Sequence, residues 1–213
     1  MIDAGIPEIC LQVTRCAAHT VNLVIKDAIK TIGCEREIRE IRTLIKRSKR
    51  ITLRAIFKLH SVPVPVLDCE TWWGTIALMI KSFAAIEPLQ EELRKVDESF
   101  IVEKEQWEFC KRFSNTLQPM VKLLKDLQKA QITIGDMYKF YWIESRMELR
   151  KIAELNPFSQ TLLNALGTRK NMLFGNKAFL AGMFLDPRFN FKDTPYLTMD
   201  QKQTAIVSNR KYS

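Results

Sequence analysis

Glycine and histidine are scarce in this sequence, and no apolar run is long enough to cross a membrane. Only seven of the 213 residues are glycine, which is too few for the many tight turns of an all-β sandwich. A membrane helix needs about 20 consecutive apolar residues, and no run approaches that length. Residues 1–7 also lack the basic and the long apolar segments of a secretory signal. We therefore expect a mainly α protein that lies inside the cell and has no membrane contact.

The cysteines are odd in number and widely scattered, at positions 10, 16, 34, 69 and 110. No two have the Cys-x-x-Cys spacing of a zinc ribbon or a thioredoxin-like motif. In a reducing compartment we expect them to be free, small and buried. The sequence also contains no glycine-rich phosphate loop and no His-Glu-x-x-His motif. No familiar catalytic motif is therefore visible, and no cofactor is expected.

Cys16 and His19 share one face of a predicted helix because they are three residues apart. Both could reach one metal ion, but a closed zinc site needs four ligands. The only other histidine is His60. We favour packing of this helix against a sheet over a metal site, so the metal ligands are predicted to be none. A redox-sensitive thiol is the third interpretation.

The net charge of +9 is concentrated in one stretch of the chain. Between positions 35 and 58 there are nine basic and three acidic residues. Apolar residues recur there at spacings of three and four, which predicts two amphipathic helices with basic outer faces. Such a face can neutralise the phosphates of DNA, and it can equally be a solvated surface. The candidate DNA contacts are Arg47, Lys49, Arg50 and Arg54.

Most of the remaining chain has helical periodicity. Pro63 and Pro65 interrupt it and predict a linker or a short edge strand. Pro119 predicts a kink or a break near Thr116. The aromatic side chains of residues 140–142 are predicted to be core. Helices are expected from Thr71, as N-cap, to about Ile86 and over residues 105–131, 134–155, 157–166, 170–184 and 199–210.

Three short strings, in this order, resemble the transposases of the hAT superfamily and the host proteins domesticated from them. They are Cys16-x-x-His19 within the basic helix of residues 15–27, Leu-Asp-Cys-Glu-Thr-Trp-Trp at 67–73, and Leu-Asp-Pro-Arg-Phe at 185–189. The resemblance covers residues 10 to about 192. A domesticated relative of the BED-zinc-finger type that lacks its zinc finger would fit it.

The resemblance implies where the chain would lie in the family's fold. The Cys-x-x-His segment follows the second catalytic aspartate of an RNase H-like domain, and the Asp68–Trp73 segment closes that part. A long helical insertion then contains the Leu-Asp-Pro-Arg-Phe string. We therefore expect a partial RNase H-like remnant with basic helices over 1–67 and a helical insertion domain over 68–213. The catalytic carboxylates would lie before Met1 and after Ser213.

The motif residues themselves have both structural and functional interpretations. Asp68 and Asp186 match no position that the family uses for metal, and Asp27 is expected at an exposed polar edge. Trp73 matches a tryptophan that the family uses to stabilise flipped DNA, and we favour over this role the interpretation that it fills a helix–sheet junction. Trp72 replaces the family's arginine, which puts DNA handling there in doubt. Asp186 and Pro187 predict a turn, with Arg188 paired to an acid and Phe189 buried.

The sequence therefore predicts a catalytically inactive, transposon-derived protein that contacts DNA in the nucleus. No cofactor is expected, because a divalent metal would be needed only by an intact family member. The alternatives are a helical protein-interaction module without DNA contact, in the nucleus or the cytoplasm, and a non-functional remnant. A protein partner or self-association cannot be read from the sequence.

Overall fold

The structure, a computed structural model, describes residues 17–69, 74–129, 132–153 and 156–210. Within these ranges the chain is helical and has no β-strand, which confirms the prediction of a mainly α fold. A 3₁₀ turn spans Glu87–Leu89, and a π-helical segment at Lys139–Glu144 joins two of the α-helices. In chain order the helices are α1 (Ala17–Ile32), α2 (Glu35–Ser48), α3 (Ile51–Leu59), α4 (Gly74–Ala84), α5 (Gln90–Val96), α6 (Lys104–Leu127), α7 (Ile134–Tyr138), α8 (Ser145–Ala153), α9 (Pro157–Phe174), α10 (Lys177–Leu185) and α11 (Met199–Arg210).

The two basic amphipathic helices predicted from the charge pattern are confirmed as α2 and α3. Helix α2 buries Ile38, Ile41 and Ile45, which recur at spacings of three and four. Gly33 joins it to α1 with a φ of 76°, a left-handed conformation that glycine adopts without a Cβ clash. This turn determines the direction in which α2 leaves α1.

The segment from Val62 to Cys69 has no regular secondary structure, as its two prolines predict. It lies against α4, because the Val66 amide donates to Ser82 Oγ at 3.0 Å. It also lies against α2 through a contact of Asp68 with Arg42. The predicted linker is therefore held in place at two points.

One hydrophobic core joins α1 to α9. Helix α1 packs on α6 and α9, and the rings of Phe83 and Trp107 stack at 4.9 Å between α4 and α6. Tyr141 is 1% exposed, and Phe140 and Trp142 pack against the same core, so the prediction that this aromatic face is core is confirmed. Buried residues from both sides of residue 67 belong to this core. The domain boundary expected there stays a prediction.

A second, smaller core is formed by α7, α10, α11 and the loop before α11. Its centre is Tyr138, whose ring makes edge contacts with Phe174, Phe189 and Tyr196 at 5.3–6.0 Å. Phe189 is 3% exposed, which confirms its predicted burial. This core closes the C-terminal part of the described chain.

Four polar residues, named here the Arg188 cluster, join α7 to the turn after α10. Arg188 lies 2.6 Å from both Asp186 and Asp136, so the predicted pairing of Arg188 with an acid is confirmed. Asp136 and Thr133 form a reciprocal cap at the start of α7. Hydrogen bonds from Arg188, and secondarily from Thr133, lower the pKa of Asp136 to about 2. The carboxylate is therefore charged at neutral pH.

Several helices differ from the predicted ones. Pro119 does not end α6, because the apolar residues on both sides of it stay buried in the same core and the Asn115 carbonyl that it leaves unbonded belongs to an exposed residue. The break predicted between residues 166 and 170 is absent, because α9 continues over Pro157–Phe174. The helix predicted over 170–184 is instead divided at Gly175, and Asn176 Oδ1 caps the new start at α10. Helix α5 was not expected, since it is only seven residues long.

Replacing Gly135 by alanine should destabilise the protein, since the new Cβ would overlap the Asp186 carboxylate and disturb the Arg188 cluster. We expect the free energy of unfolding to fall by about 1–3 kcal/mol. The matched control is Gly167→Ala in α9, where no atom lies within 4 Å of the new Cβ. That change should raise the free energy by about 0.5–1 kcal/mol. Urea unfolding measures both, and equal effects would contradict the packing around Gly135.

Candidate functional site

Two of the four predicted DNA contacts are engaged with the turn that follows α5. Arg47 is half-buried and donates from Nη1 to the Ser99 carbonyl at 2.9 Å. Arg50 Nη1 lies 3.1 Å from Asp97 Oδ2. Both arginines therefore link the corner between α2 and α3 to residues 97–99.

Asp97 neutralises part of the positive charge at this corner. Hydrogen bonds from Ser99, with a smaller effect of Arg50, lower the pKa of Asp97, so it is ionised at neutral pH. The Arg50 side chain is still 62% exposed. It contributes to the surface charge, but it is not an unpaired cation.

Lys49 and Arg54 are the two predicted contacts that remain unpaired. Both side chains are exposed, and no carboxylate of the described residues lies within 4.0 Å of either. Together they line an open hollow of about 470 Å³ whose other walls are Val64, Pro65, Val66 and Leu67. The hollow therefore has an apolar floor and a cationic rim.

Sequence reasoning did not single out Lys46 and Lys58, which extend this surface. Both are exposed, and the described part of the chain places no carboxylate within 4.0 Å of them. Lys58 is one helical turn after Arg54, and Lys46 is three residues before Lys49, so each lies near its neighbour. We call Lys46, Lys49, Arg54 and Lys58 the α2–α3 cations. Their spacing was visible in the sequence, but their lack of acidic partners was not.

Of the N-terminal motif and the tryptophan pair, only His19 lies within the described residues. Cys16, Trp72 and Trp73 lie outside them, as does the predicted N-cap Thr71. His19 is exposed. No group of three histidine, cysteine or acidic residues that could hold a metal occurs where the structure describes the chain. The roles of Cys16 and Trp73 stay predictions.

Asp68 makes a two-pronged ion pair that sequence reasoning missed. Its oxygens accept from Arg42 Nε at 2.9 Å and from Arg42 Nη2 at 2.5 Å. The Asp68 side chain is 2% exposed and the Arg42 side chain 20%. A bidentate, largely desolvated pair of this kind positions both partners. Asp68 therefore holds the Val62–Cys69 segment against α2.

Asp27 lies at a partly exposed edge but has an arginine partner that sequence reasoning missed. Arg169 on α9 donates to Asp27 Oδ2 from Nε at 3.0 Å and from Nη2 at 2.6 Å. The Arg169 side chain is only 17% exposed, whereas that of Asp27 is 43% exposed. The carboxylate is thus partly exposed, as expected, but it joins α1 to α9.

In the part of the chain that the structure describes, no helix is both long and apolar enough to cross a lipid bilayer.

Comparisons with known proteins agree with the resemblance drawn from the three strings. Residues 14–116 match the family described as the ZBED1 RNase-like helical domain. The human zinc finger BED domain-containing protein 4 is 22% identical over 193 residues, which cover 82% of this chain and 16% of that protein. The chain thus spans less than a fifth of the length of this curated relative. No solved structure matches the chain.

Replacing Arg42 by glutamine should leave the Asp68 carboxylate buried without its cation. Since Arg42 is partly exposed, we expect a loss of about 2–3 kcal/mol in the free energy of unfolding, somewhat less than the ~3–5 kcal/mol typical of a broken buried pair. The control is Arg36→Gln, because the Arg36 side chain is 75% exposed and its acidic neighbours are 3.7–3.9 Å away. It should cost less than about 0.5 kcal/mol. Equal losses in urea unfolding would show that the Asp68 pair has no special role.

Proposed function

We propose that this chain, a relative of the hAT-transposase-derived, ZBED-type proteins, is part of a domesticated transposon-derived protein that binds DNA in the nucleus. The contacts would be made by the α2–α3 cations. The observation that carries this proposal is the group of four exposed cations without a carboxylate partner in the described chain. The whole protein's activity and partners belong to the same proposal.

The fold supports this role by presenting the cations from a rigid base. Leu53 and Phe57 of α3 are almost fully buried, so Arg54 and Lys58 project from a helix that cannot rotate. DNA carries one negative charge per about 1.7 Å of axis, and cations that replace its counterions bind in a salt-dependent way. Three of the four α2–α3 cations are lysines, which contact phosphate as point charges. The proposed contact is therefore to the DNA backbone and has no base specificity.

The direction of charge along α2 also favours one end as the contact. Its first turn contains Glu35 and Glu37, and its last turn contains Lys46 and Arg47. The acidic first turn and the basic last turn interact favourably with the helix dipole and stabilise α2. This arrangement also keeps the acidic side chains of the first turn at the opposite end of the helix from Lys46 and Lys49, so the carboxylate at this corner is that of Asp97, which is paired with Arg50.

We also propose that this region does not cleave DNA. Two-metal strand transfer needs several free carboxylates around two ions about 4 Å apart. Each of the three aspartates considered in the motif regions instead contacts an arginine: Asp27 with Arg169, Asp68 with Arg42, and Asp186 with Arg188. A metal would have to displace a guanidinium from each of these carboxylates, which opposes metal binding there.

A protein-interaction module is the second candidate function. Ile51 is 87% exposed and Leu59 is 78% exposed, and they lie on the outer side of α3, beside the cations. Exposed apolar residues in a group are typical of contact surfaces. This function would use the same helix without DNA.

The DNA proposal is tested by changing all four α2–α3 cations to glutamine and titrating a fluorescent 20-base-pair duplex. We expect the wild-type affinity to fall steeply between 50 and 200 mM salt. The variant should bind at least tenfold more weakly at low salt. The slope of log affinity against log salt should become shallower by about 0.9 for each phosphate that the variant no longer neutralises.

A control variant carries the same charge change at exposed lysines elsewhere: Lys104, Lys125, Lys177 and Lys192. It should retain most of the affinity and slope. An equal loss in both variants would mean that net charge, and not this surface, attracts DNA. Wild-type binding that is independent of salt, or absent at low salt, would contradict the proposal.

The proposed lack of catalysis is tested with the same duplex and with supercoiled plasmid, in buffers containing Mg²⁺ or Mn²⁺. We expect no nicking and no strand transfer above the level of a metal-free sample, because the three aspartates are bound to arginine. Nicking that requires metal and disappears in Asp68→Asn or Asp186→Asn would overturn this proposal. The DNA-binding proposal would be unaffected by that result.

A further inference from the structure

A second hollow shares no lining residue with the hollow beside Lys49 and Arg54 and contains none of the α2–α3 cations. It forms where the end of α1, the middle of α6 and the start of α9 meet, and it has a volume of about 220 Å³. We call it the aromatic hollow. Its lining residues are Ile32, Phe109, Arg112, Phe113, Asn156, Pro157 and Phe158.

The floor of the aromatic hollow is rigid. The Phe113 and Phe158 rings stack at 4.8 Å, and Phe109 lies 5.1 Å from Phe113. Asn156 fixes the start of α9, since its Oδ1 accepts from the Phe158 amide at 3.0 Å and its Nδ2 donates to Thr116 Oγ1. An incoming group would therefore meet a preformed apolar surface and would not have to order it.

The rim of the aromatic hollow carries an unpaired cation. Arg112 is exposed, and its one hydrogen bond in the described chain is a long one of 3.4 Å to the Glu108 carbonyl. No described carboxylate lies within 4.0 Å of it. The neighbouring Lys111 contacts both Glu87 and Glu108, so the local acids bind Lys111 and not Arg112. The hollow thus combines an apolar floor with a free guanidinium.

The size of the hollow indicates the kind of occupant. Pockets for small molecules usually measure about 300–1,000 Å³, and this one is smaller. It matches one large apolar side chain. The most strongly contributing residues of protein interfaces are such side chains in well-packed pockets, often beside an arginine. The half-exposed Ile32 provides an apolar edge over which a peptide backbone could pass.

We propose that the aromatic hollow binds a segment of a partner protein that inserts one bulky apolar side chain beside an acidic residue. The apolar group packs on Phe109, Phe113 and Phe158. The acidic group pairs with Arg112, whose planar guanidinium accepts a carboxylate in two-pronged geometry. This site is independent of the DNA proposal, since the two surfaces share no residue.

The probe is the peptide acetyl-Gly-Glu-Phe-Glu-Gly-amide, added at millimolar concentrations to the ¹⁵N-labelled full chain. Two matched peptides replace Phe by Ala, or both Glu by Gln. Backbone amide shifts are followed by NMR. We expect saturable shifts near Ile32, Phe109, Arg112 and Phe158. The Gln peptide should bind about fivefold more weakly, because a charge-assisted bond is roughly twice as strong as a neutral one, and the Ala peptide should give no saturable shift.

Protein variants separate the two parts of the contact. Arg112→Gln should bind the Glu and Gln peptides equally, while Ile32→Ser should weaken both by a similar factor without disturbing the buried rings. Lys125→Gln, which changes an exposed cation on the same helix, should behave like the wild type. The variant that lacks the α2–α3 cations should bind the Glu peptide normally.

Several results would overturn the proposal. They are the absence of saturable shifts with the Phe peptide, equal binding of the Ala peptide, or a preference for Glu that persists in Arg112→Gln. Shifts confined to α2 and α3 that vanish with the α2–α3 cations would also overturn it, because the peptide would then bind to the surface proposed for DNA. Absence of DNA binding by the wild-type chain, with peptide binding retained, would overturn the DNA proposal alone.

Discussion

Helix α1 buries a continuous apolar face, and both proposed surfaces are positioned by it. Val21, Val24, Ile25, Ala28 and Ile29 have no exposed area, and they pack against α6 and α9. Burial of each of the two valines and two isoleucines contributes about 1.5–3 kcal/mol, so α1 is firmly held in the first core. Its last residue forms one wall of the aromatic hollow, and the Gly33 turn that follows directs α2 and therefore the α2–α3 cations.

Arginine–carboxylate pairs then determine where the rest of the chain lies relative to this helix. Asp27 and Arg169 are 142 residues apart in sequence, and their contact joins α1 to α9. Arg42 and Asp68 hold the extended segment on α2. In both pairs one partner is largely buried, so breaking the pair would leave a poorly solvated charge without a partner. Asp27 and Asp68 therefore each have an arginine partner that joins two parts of the fold.

Local pattern predicted most of the helices but not the contacts between them. The basic helices followed from apolar residues at spacings of three and four, and the extended segment followed from two prolines. Both are properties of neighbouring residues. The partners of Arg47 and Arg50 lie about 50 positions away at Ser99 and Asp97, and nothing local in the sequence indicates them. The continuity of α6 through Pro119 also depends on burial, which outweighs one lost hydrogen bond.

Sequence patterns also predicted only part of the two candidate surfaces. Lys49 and Arg54 could be named as candidate DNA contacts from charge alone, since lysine and arginine side chains are mostly exposed. The aromatic hollow could not, because its residues come from three helices that are distant in sequence. Pattern can identify the faces of a helix, but only the packed fold shows which faces meet and which charges remain unpaired.

The separation of the two surfaces has a consequence for how the molecule could work. Helix α2 has 14 residues, so its two ends lie roughly 20 Å apart at 1.5 Å per residue. The aromatic hollow lies beyond its first residue, across the Gly33 turn, and the α2–α3 cations begin at its last turn. The length of α2 is more than twice the Debye length at physiological salt, so acidic groups beyond its first residue would only weakly screen cations at its last turn. If both proposals hold, DNA and an acidic partner segment would therefore not compete for one surface.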